Sequence, residues 1–221
     1  MTHGNTPVLK RIGPAAAVFT ALALILQAYL TISAAIANGK GAFAGLVEYL
    51  GYFTILTNMF AALIFAAHGM ASDAPGVWRF LRRPQNLTAA TASIMVVWSV
   101  YHFILRKPGG LQGAQFWADL ALHYIIPFFT VVFWWLTVPR CGISLTPASW
   151  PTLMWYPLFY LAYVFVRGAI LNSYPYFFID VTTIGYPRAL LNAAGVMLLL
   201  IVLILFFWLI NRLVGRRIQP G

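Results

Sequence analysis

Six long apolar runs, separated by short polar segments, dominate the chain. They cover about residues 14–37, 46–67, 87–105, 116–138, 151–171 and 189–213. Each run approaches or exceeds the ~20 residues that an α-helix needs to cross the hydrocarbon of a bilayer. The pattern predicts an all-α polytopic membrane protein, a bundle of six transmembrane helices that forms a single domain over residues 1–221.

The basic residues between these runs predict an orientation. With six spans, the N-terminus, loop 2–3, loop 4–5 and the C-terminus share one side of the membrane, and that side carries nine basic residues against four on the other. Because cytoplasmic loops are enriched in Lys and Arg, both termini are predicted to be cytoplasmic. The nine are Lys10, Arg11, Arg79, Arg82, Arg83, Arg140, Arg212, Arg216 and Arg217, and the four are Lys40, Arg106, Lys107 and Arg188.

Composition agrees with a protein that has lipid as its solvent. Hydrophobic residues make up 62% of the 221 residues and charged residues 8%, whereas a soluble domain carries roughly 25% charged residues. The net charge of +10 forms no continuous stripe, so it favours lipid headgroups over nucleic acid as partners. The first run is too long for a signal peptide and is interpreted as a retained helix.

Cysteine and histidine usage predicts neither a disulfide nor a metal or organic cofactor. Cys141 is the single cysteine of the sequence, so no internal disulfide can form and no zinc-type cysteine spacing exists. The four histidines lack the spacing of a ligand set.

Polar side chains inside the runs are costly in hydrocarbon and therefore mark candidate sites. Thr54 lies eight residues into the second run and His123 seven residues into the fourth. Both runs enter from the non-cytoplasmic side in this topology, so at ~1.5 Å per residue the two residues lie roughly 10–12 Å below that surface and can meet. Asp119 is one helical turn from His123, on the same face.

This set of side chains suits nucleophilic catalysis. A neutral imidazole can remove the proton of a hydroxyl, and Asp119 could fix the tautomer of His123. Arg167 or Asn58 could stabilise a developing oxyanion.

Structural roles for the same residues stay open. A lone Thr in a membrane helix usually bonds its own i−4 carbonyl, and a lone intramembrane His is more often an interhelical partner than a catalyst. Arg167 and Asp180 could pair at the rim. Pro127 and Pro157 are expected to kink the fourth and fifth helices. Spacing alone therefore leaves catalysis the minority hypothesis.

Three stretches carry a resemblance to a known family. They are Tyr52-Phe53-Thr54-Ile55-Leu56-Thr57-Asn58, then His123-Tyr124-Ile125-Ile126-Pro127, and a third from Tyr156-Pro157 through Arg167-Gly168 to Tyr174-Pro175-Tyr176-Phe177-Phe178-Ile179-Asp180 and Gly185-Tyr186. Together they resemble bacterial six-helix membrane proteins related to the androgen-induced membrane hydrolase family, over roughly the second helix to the start of the sixth.

The resemblance implies hydrolysis of fatty acid esters of hydroxy fatty acids by a membrane-embedded threonine nucleophile and a histidine. The family positions fall on Thr54 and His123. An alignment anchored on Asn58 needs a one-residue gap and makes Thr57 a rival nucleophile.

The expected function is thus an intramembrane hydrolase of lipid esters in the cell membrane, as in a bacterial inner membrane, with membrane lipids and a lipid ester substrate as its partners. Thr54 and His123 are the expected catalytic residues, and Asn58, Asp119 and Arg167 support them. The alternative is a non-enzymatic small transporter or lipid-binding protein that uses the same polar pocket.

Overall fold

A computed structural model describes residues 7–70, 76–106, 110–139 and 149–218, and over these ranges the regular structure is helical, with no strand. A π-helical turn, Tyr101–Leu105, extends α5, and a second, Ala121–Ile125, joins α6 to α7. A short 3₁₀ turn, Phe177–Ile179, precedes α9. The α-helices are α1 Pro7–Ala37, α2 Ala42–Gly51, α3 Phe53–Gly69, α4 Val77–Leu81, α5 Pro84–Val100, α6 Gly113–Leu120, α7 Ile126–Thr137, α8 Trp150–Leu171 and α9 Val181–Ile218.

Five helices in the described part of the chain are long and apolar enough to cross a membrane, and the bent pair α2–α3 would make a sixth. A helical protein with several possible spans, predicted from the apolar runs, is therefore confirmed at this level. Lys107 and Arg140 from the loop-charge count, and Cys141, lie outside the described residues.

The second apolar run, predicted as one span over residues 46–67, is two helices. The chain bends by 76° between α2 and α3, and Tyr52 at the bend has extended backbone angles, φ −82° and ψ 131°. Gly51 packs here against Arg167, whose guanidinium carbon would lie 3.0 Å from a Cβ at Gly51. The predicted depth of Thr54 below the membrane surface was counted along one straight helix. Because the helix is bent here, that count does not apply.

Helix α5 is the centre of the bundle. In its most apolar stretch 61% of residues are buried, against 22% in α1 and in α9. Asn86, Thr88, Thr91 and Ser93 of this helix are hidden between neighbouring helices, which explains why this run is less apolar than the peripheral ones. Large side chains on the outside, such as Phe128, Ile170 and Leu191, are more than 70% exposed, as expected of a surface that faces lipid.

Glycines let α1 lie close to its neighbours. A Cβ at Gly13 would sit 2.7 Å from the carbonyl oxygen of Phe65 in α3, and one at Gly45 would sit 2.8 Å from the Cα of Ile32 in α1. Small residues are the usual means of close helix packing in membranes, where van der Waals contact drives association. The α1–α2–α3 corner therefore tolerates no side chain at these positions without a shift.

Helix α9 begins earlier than the sixth apolar run predicted. Its first turn starts at Val181, where the Asp180 carboxylate accepts hydrogen bonds from the backbone and hydroxyl of Thr182 at 3.0 and 2.6 Å. Gly185 then breaks the helix with φ 73° and ψ 160°. A left-handed φ of this kind favours glycine, and the long helix continues beyond it.

Candidate active site

The break between α2 and α3 leaves Thr54 without the usual partner of a helical threonine. Thr54 is the second residue of α3, and the carbonyl four residues earlier, on Leu50, instead accepts from the Tyr163 hydroxyl at 3.2 Å. The Thr54 Oγ1 lies 3.5 Å from His123 Nε2. Five threonines in regular helix bond the i−4 carbonyl at 2.7–2.8 Å, and these are Thr20, Thr88, Thr91, Thr130 and Thr137.

Asp119 fixes the orientation of the His123 ring. The Nδ1 atom of His123 lies 3.0 Å from the Asp119 carboxylate and 3.2 Å from the Asp119 carbonyl oxygen. Because both neighbours accept hydrogen bonds, the neutral ring carries its proton on Nδ1, and the Nε2 lone pair points at Thr54. The arrangement can take a proton from the Thr54 hydroxyl while the carboxylate stabilises the imidazolium.

A π-helical turn places His123. Pro127 has no N–H to donate to the carbonyl four residues earlier, which belongs to His123, and its ring would crowd that oxygen. The wider turn Ala121–Ile125 lies at this point. The helix then runs on from Gly113 to Thr137 as one span, so Pro127 accompanies a widened turn where a kink was expected. Such turns often occur at functional sites.

A second π-helical turn, at the end of α5, brings Tyr101 to the same place. The Tyr101 ring stacks on the His123 ring with centroids 3.8 Å apart and planes 14° apart, and its hydroxyl interacts with the Asp119 carboxylate. The ring covers one face of the imidazole. Tyr101 therefore limits the movement of His123 and adds a hydrogen-bond donor to Asp119.

A polar cavity of about 460 Å³ opens onto this cluster. Thr54, Tyr101 and His123 line it, together with polar residues from α1, α2 and α6. Gln115 of α6 donates to Gln27 of α1 at 3.0 Å in its wall. The remaining charged or amide residues of the lining are Asn38, Lys40 and Glu48.

An apolar cavity of about 70 Å³ reaches Thr54 from the other side, between α5, α8 and α9. Val96, Val164 and Ala193 are among its lining residues. The two cavities share Thr54, Leu105 and Tyr176. The Thr54 hydroxyl therefore lies where a polar space meets an apolar one.

Asn58 holds the two halves of the cluster together. Its side-chain nitrogen donates to the Thr54 carbonyl at 2.8 Å and to the Leu122 carbonyl at 3.3 Å, and the side chain is fully buried. Both amide protons thus go to backbone oxygens, so Asn58 positions the Thr54 turn against the turn of His123. It does not line either cavity, which argues against the expected oxyanion role.

Thr57, the rival nucleophile, has a different partner. Its hydroxyl lies 2.8 Å from the Tyr156 hydroxyl, and the residue has no exposed surface. It lines neither cavity. Of the two threonines, Thr54 is the one that the fold places beside an imidazole.

Arg167 acts as a clamp on backbone carbonyls. Its Nη1 donates to the Ser173 carbonyl and its Nη2 to the Val47 carbonyl, each at 3.0 Å. A cation at the last carbonyls of α2 also suits the negative end of that helix dipole. The possible pair with Asp180 is not formed, since the one ion pair found in the described part of the chain joins His123 to Asp119.

Tyr101 and Tyr176 are the site residues that sequence reasoning missed. Tyr176 belongs to the quoted Tyr-Pro-Tyr stretch, where it was noted as a family feature without a chemical role. Its hydroxyl accepts the Phe53 N–H at 3.0 Å, at the start of α3. The available signal was a tyrosine in a short loop between two apolar runs, which by itself indicates no partner.

Among the residues that the structure describes, no group of three or more His, Cys, Asp or Glu side chains is arranged to hold a metal ion. No protein-family model, no curated protein and no solved structure matches the chain.

Proposed function

We propose that this protein is an intramembrane hydrolase of lipid esters, with Thr54 as the nucleophile and His123 as the general base. The observation that carries the proposal is the 3.5 Å approach of Thr54 Oγ1 to an imidazole whose other nitrogen is held by Asp119. Pairs of this kind often stand at the long end of hydrogen-bond range and tighten when substrate binds. No back-bond to an i−4 carbonyl competes for the Thr54 hydroxyl.

The two cavities suit the two halves of an ester. The part of the acyl chain next to the ester would enter the small apolar cavity between α5, α8 and α9, and the alcohol and the hydrolytic water would occupy the polar cavity. Because Thr54 lies at their junction, the ester carbonyl of such a substrate would lie beside the nucleophile. The substrate class is thus an ester with one long apolar chain, drawn from the surrounding membrane lipids.

The reaction proceeds through an acyl-threonine. Thr54 Oγ1 attacks the carbonyl carbon, and its proton passes to His123 Nε2. The tetrahedral intermediate collapses, the bond to the alcohol oxygen breaks, and His123 gives its proton to that leaving oxygen. Water from the polar cavity then attacks the acyl carbon while His123 takes one of its protons, and return of that proton to Thr54 releases the carboxylic acid.

The supporting residues have separate tasks in this scheme. Asp119 keeps the proton of the neutral His123 on Nδ1 and stabilises the imidazolium. Asn58 fixes the spacing between α3 and the π-helical turn of His123. Arg167 fixes the bend that frees Thr54, so we assign it a positioning role and not a contact with substrate.

The location follows from the same proposal. The protein would lie in the cell membrane, as in a bacterial inner membrane. It would cross that membrane six times, with α2 and α3 together forming one span. The nine-to-four distribution of basic residues puts both termini in the cytoplasm. The polar cavity would then open on the opposite side.

Labelling with a fluorophosphonate probe tests the nucleophile. The purified protein should be labelled and should hydrolyse 4-nitrophenyl decanoate. Thr54→Ala should lose both, because its hydroxyl is the one found within reach of His123 Nε2 in the described part of the chain. Thr57→Ala is the matched control and should keep its labelling. Persistent labelling of Thr54→Ala, or a native protein that neither labels nor turns over the ester, contradicts the proposal.

A second candidate, a transporter or lipid-binding protein, is favoured by the broken helix. Interrupted helices whose N-termini face a cavity are typical of transporter binding sites, and α3 begins at such a cavity. Saturable quenching of tryptophan fluorescence by a brominated fatty acid ester, with no turnover by the native protein, would support this candidate over the hydrolase.

A further inference from the structure

Tyr176 reaches the start of α3 from the loop between α8 and α9. Its hydroxyl oxygen accepts the Phe53 N–H at 3.0 Å and interacts with both the backbone and the hydroxyl of Thr54. The first N–H groups of a helix have no partner within the helix, and no side chain of Tyr52 caps them. Tyr176 thus takes the place of a helix cap and stands directly beside the nucleophile.

The Tyr176 ring is held firmly in this position. It stacks on Phe178 with centroids 5.2 Å apart and planes 12° apart, and it meets the edge of Tyr52 at 5.7 Å. Asn192 of α9 in turn donates to the Phe178 carbonyl at 2.8 Å. The hydroxyl is therefore directed at α3 by packing that does not depend on the hydroxyl itself.

One arrangement of hydrogen bonds around Thr54 gives each of its neighbours a partner. The Phe53 N–H donates to the Tyr176 oxygen, which leaves the phenol proton to donate toward Thr54 Oγ1. The Thr54 proton then points at His123 Nε2, since Nδ1 of that ring is the protonated nitrogen. Burial raises the pKa of Tyr176 to about 12, so the phenol keeps its proton at neutral pH.

On the premise of the ester hydrolysis proposed above, we propose that Tyr176 is a further catalytic residue, which donates a hydrogen bond to the ester carbonyl oxygen as that oxygen becomes negative. When Thr54 attacks, the carbonyl π electrons move to the oxygen, and the Tyr176 hydroxyl turns from Oγ1 to that neighbouring atom without giving up its proton. The positive end of the α3 dipole, which lies at Thr54, stabilises the same developing charge.

The geometry of the junction supports this assignment. Tyr176 is one of three residues common to the polar and the apolar cavity, with Thr54 and Leu105. Of these three, only Thr54 and Tyr176 have polar side chains. For a carbonyl at the junction, with its chain in the apolar cavity, the Tyr176 hydroxyl is therefore the side-chain donor, besides the nucleophile, that lines both cavities.

The test compares Tyr176→Phe with Tyr174→Phe in the full-length protein. Both remove one hydroxyl from the same loop, but the Tyr174 ring packs on Gly168 and its hydroxyl interacts with Tyr186. Loss of one oxyanion donor typically lowers kcat by about 10²–10³-fold. We expect that loss for 4-nitrophenyl decanoate in Tyr176→Phe, with KM nearly unchanged, and native kinetics in Tyr174→Phe.

Inhibitor affinity separates catalysis from folding. A decyl trifluoromethyl ketone forms a tetrahedral adduct with an oxyanion, so Tyr176→Phe should bind it more weakly by the same factor as kcat/KM falls. A decyl ether without a carbonyl should bind both proteins equally. Native kcat in Tyr176→Phe, or equal weakening of both ligands, overturns the role of Tyr176 while leaving Thr54 in place. A native protein without esterase activity overturns both proposals.

Discussion

In two parts of the bundle, here called the packed half and the open half, threonine and histidine side chains have different hydrogen-bond partners. The packed half comprises residues 61–69 of α3, 84–93 of α5 and 130–137 of α7. The open half comprises residues 52–58, Asp119, the two π-helical turns and the 172–180 loop. In the packed half Phe65, Leu87 and Trp134 are at most 1% exposed. In the open half the His123 and Asp119 side chains are each 15% exposed, and His123 lines the polar cavity.

The difference lies in the regularity of the backbone. In the packed half Thr88 bonds its i−4 carbonyl at 2.8 Å and also accepts the Trp134 indole N–H at 2.8 Å. Unbroken helix supplies an i−4 carbonyl for each threonine hydroxyl of this half. In the open half the bend at Tyr52 removes that carbonyl from Thr54. Interruption of the helix, and not an added polar residue, is what leaves the Thr54 hydroxyl without an i−4 carbonyl partner.

The largest effect on this comparison is expected from Asp119→Asn. An amide can donate to His123 Nδ1, which would turn the ring to the tautomer whose Nε2–H faces Thr54. In a serine triad this change lowers kcat by about 10⁴-fold. The Asp119 carbonyl remains as an acceptor at 3.2 Å, so we expect a smaller loss, on the order of 10²–10³-fold, in steady-state ester hydrolysis.

The thermal midpoint of Asp119→Asn should stay close to native, because the two side chains are nearly the same size. A variant with native kcat would show that the carboxylate does not set the tautomer. The proposed proton path from Thr54 to His123 would then not depend on Asp119.

Thr88→Val in the packed half is expected to lower stability and leave activity unchanged, the reverse of Asp119→Asn, and by a smaller factor. Valine keeps the shape but leaves the Trp134 N–H buried without its acceptor, which costs about 1–3 kcal/mol of unfolding free energy. The measurement is the denaturation midpoint in detergent, and the specific activity of the folded fraction should not change.

Thr91→Val is the matched control for this substitution. The Thr91 hydroxyl donates to the Leu87 carbonyl at 2.7 Å, whereas the Trp134 indole N–H donates to Thr88. It should therefore destabilise less than Thr88→Val. Equal destabilisation, or lost activity in Thr88→Val, would mean that the two halves are not separate in function.

The smallest effect is expected at the wall of the apolar cavity. Ala193 of α9 is buried there beside Val164 of α8, so Ala193→Phe would shorten the space for an acyl chain. Discrimination of this kind is worth about 10-fold per methylene or more. We expect kcat/KM for 4-nitrophenyl palmitate to fall about that much relative to the butyrate ester.

Ala194→Phe adds the same ring at the next position, which is exposed on the outside of α9, and should leave chain-length preference unchanged. If Ala193→Phe also leaves the preference unchanged, the acyl chain does not use this cavity. The division of the substrate between two cavities would then have to be abandoned.

Much of the helical layout is visible in the chain itself. The predicted run 151–171 matches α8, Trp150–Leu171, within a residue, and the run 116–138 matches the continuous helix Gly113–Thr137 closely. Hydrocarbon demands about 20 apolar residues per span whatever the neighbours are, so composition alone is enough to find them. Thr54 and His123 lie 3.5 Å apart, although the straight helix used to predict their meeting does not exist, and their catalytic role stays a prediction.

The site itself depends on departures from regular helix, which apolar runs do not encode. Tyr52 lies in an apolar stretch, and its extended backbone is seen where Gly51 packs on Arg167 from another helix. The sequence alone determined that the chain is helical, apolar on its outside and polar at a few positions, because these follow from local residue chemistry. Which hydroxyl is free, which imidazole faces it and which tyrosine stands beside it were decided by tertiary contacts, because each depends on residues far apart in the chain.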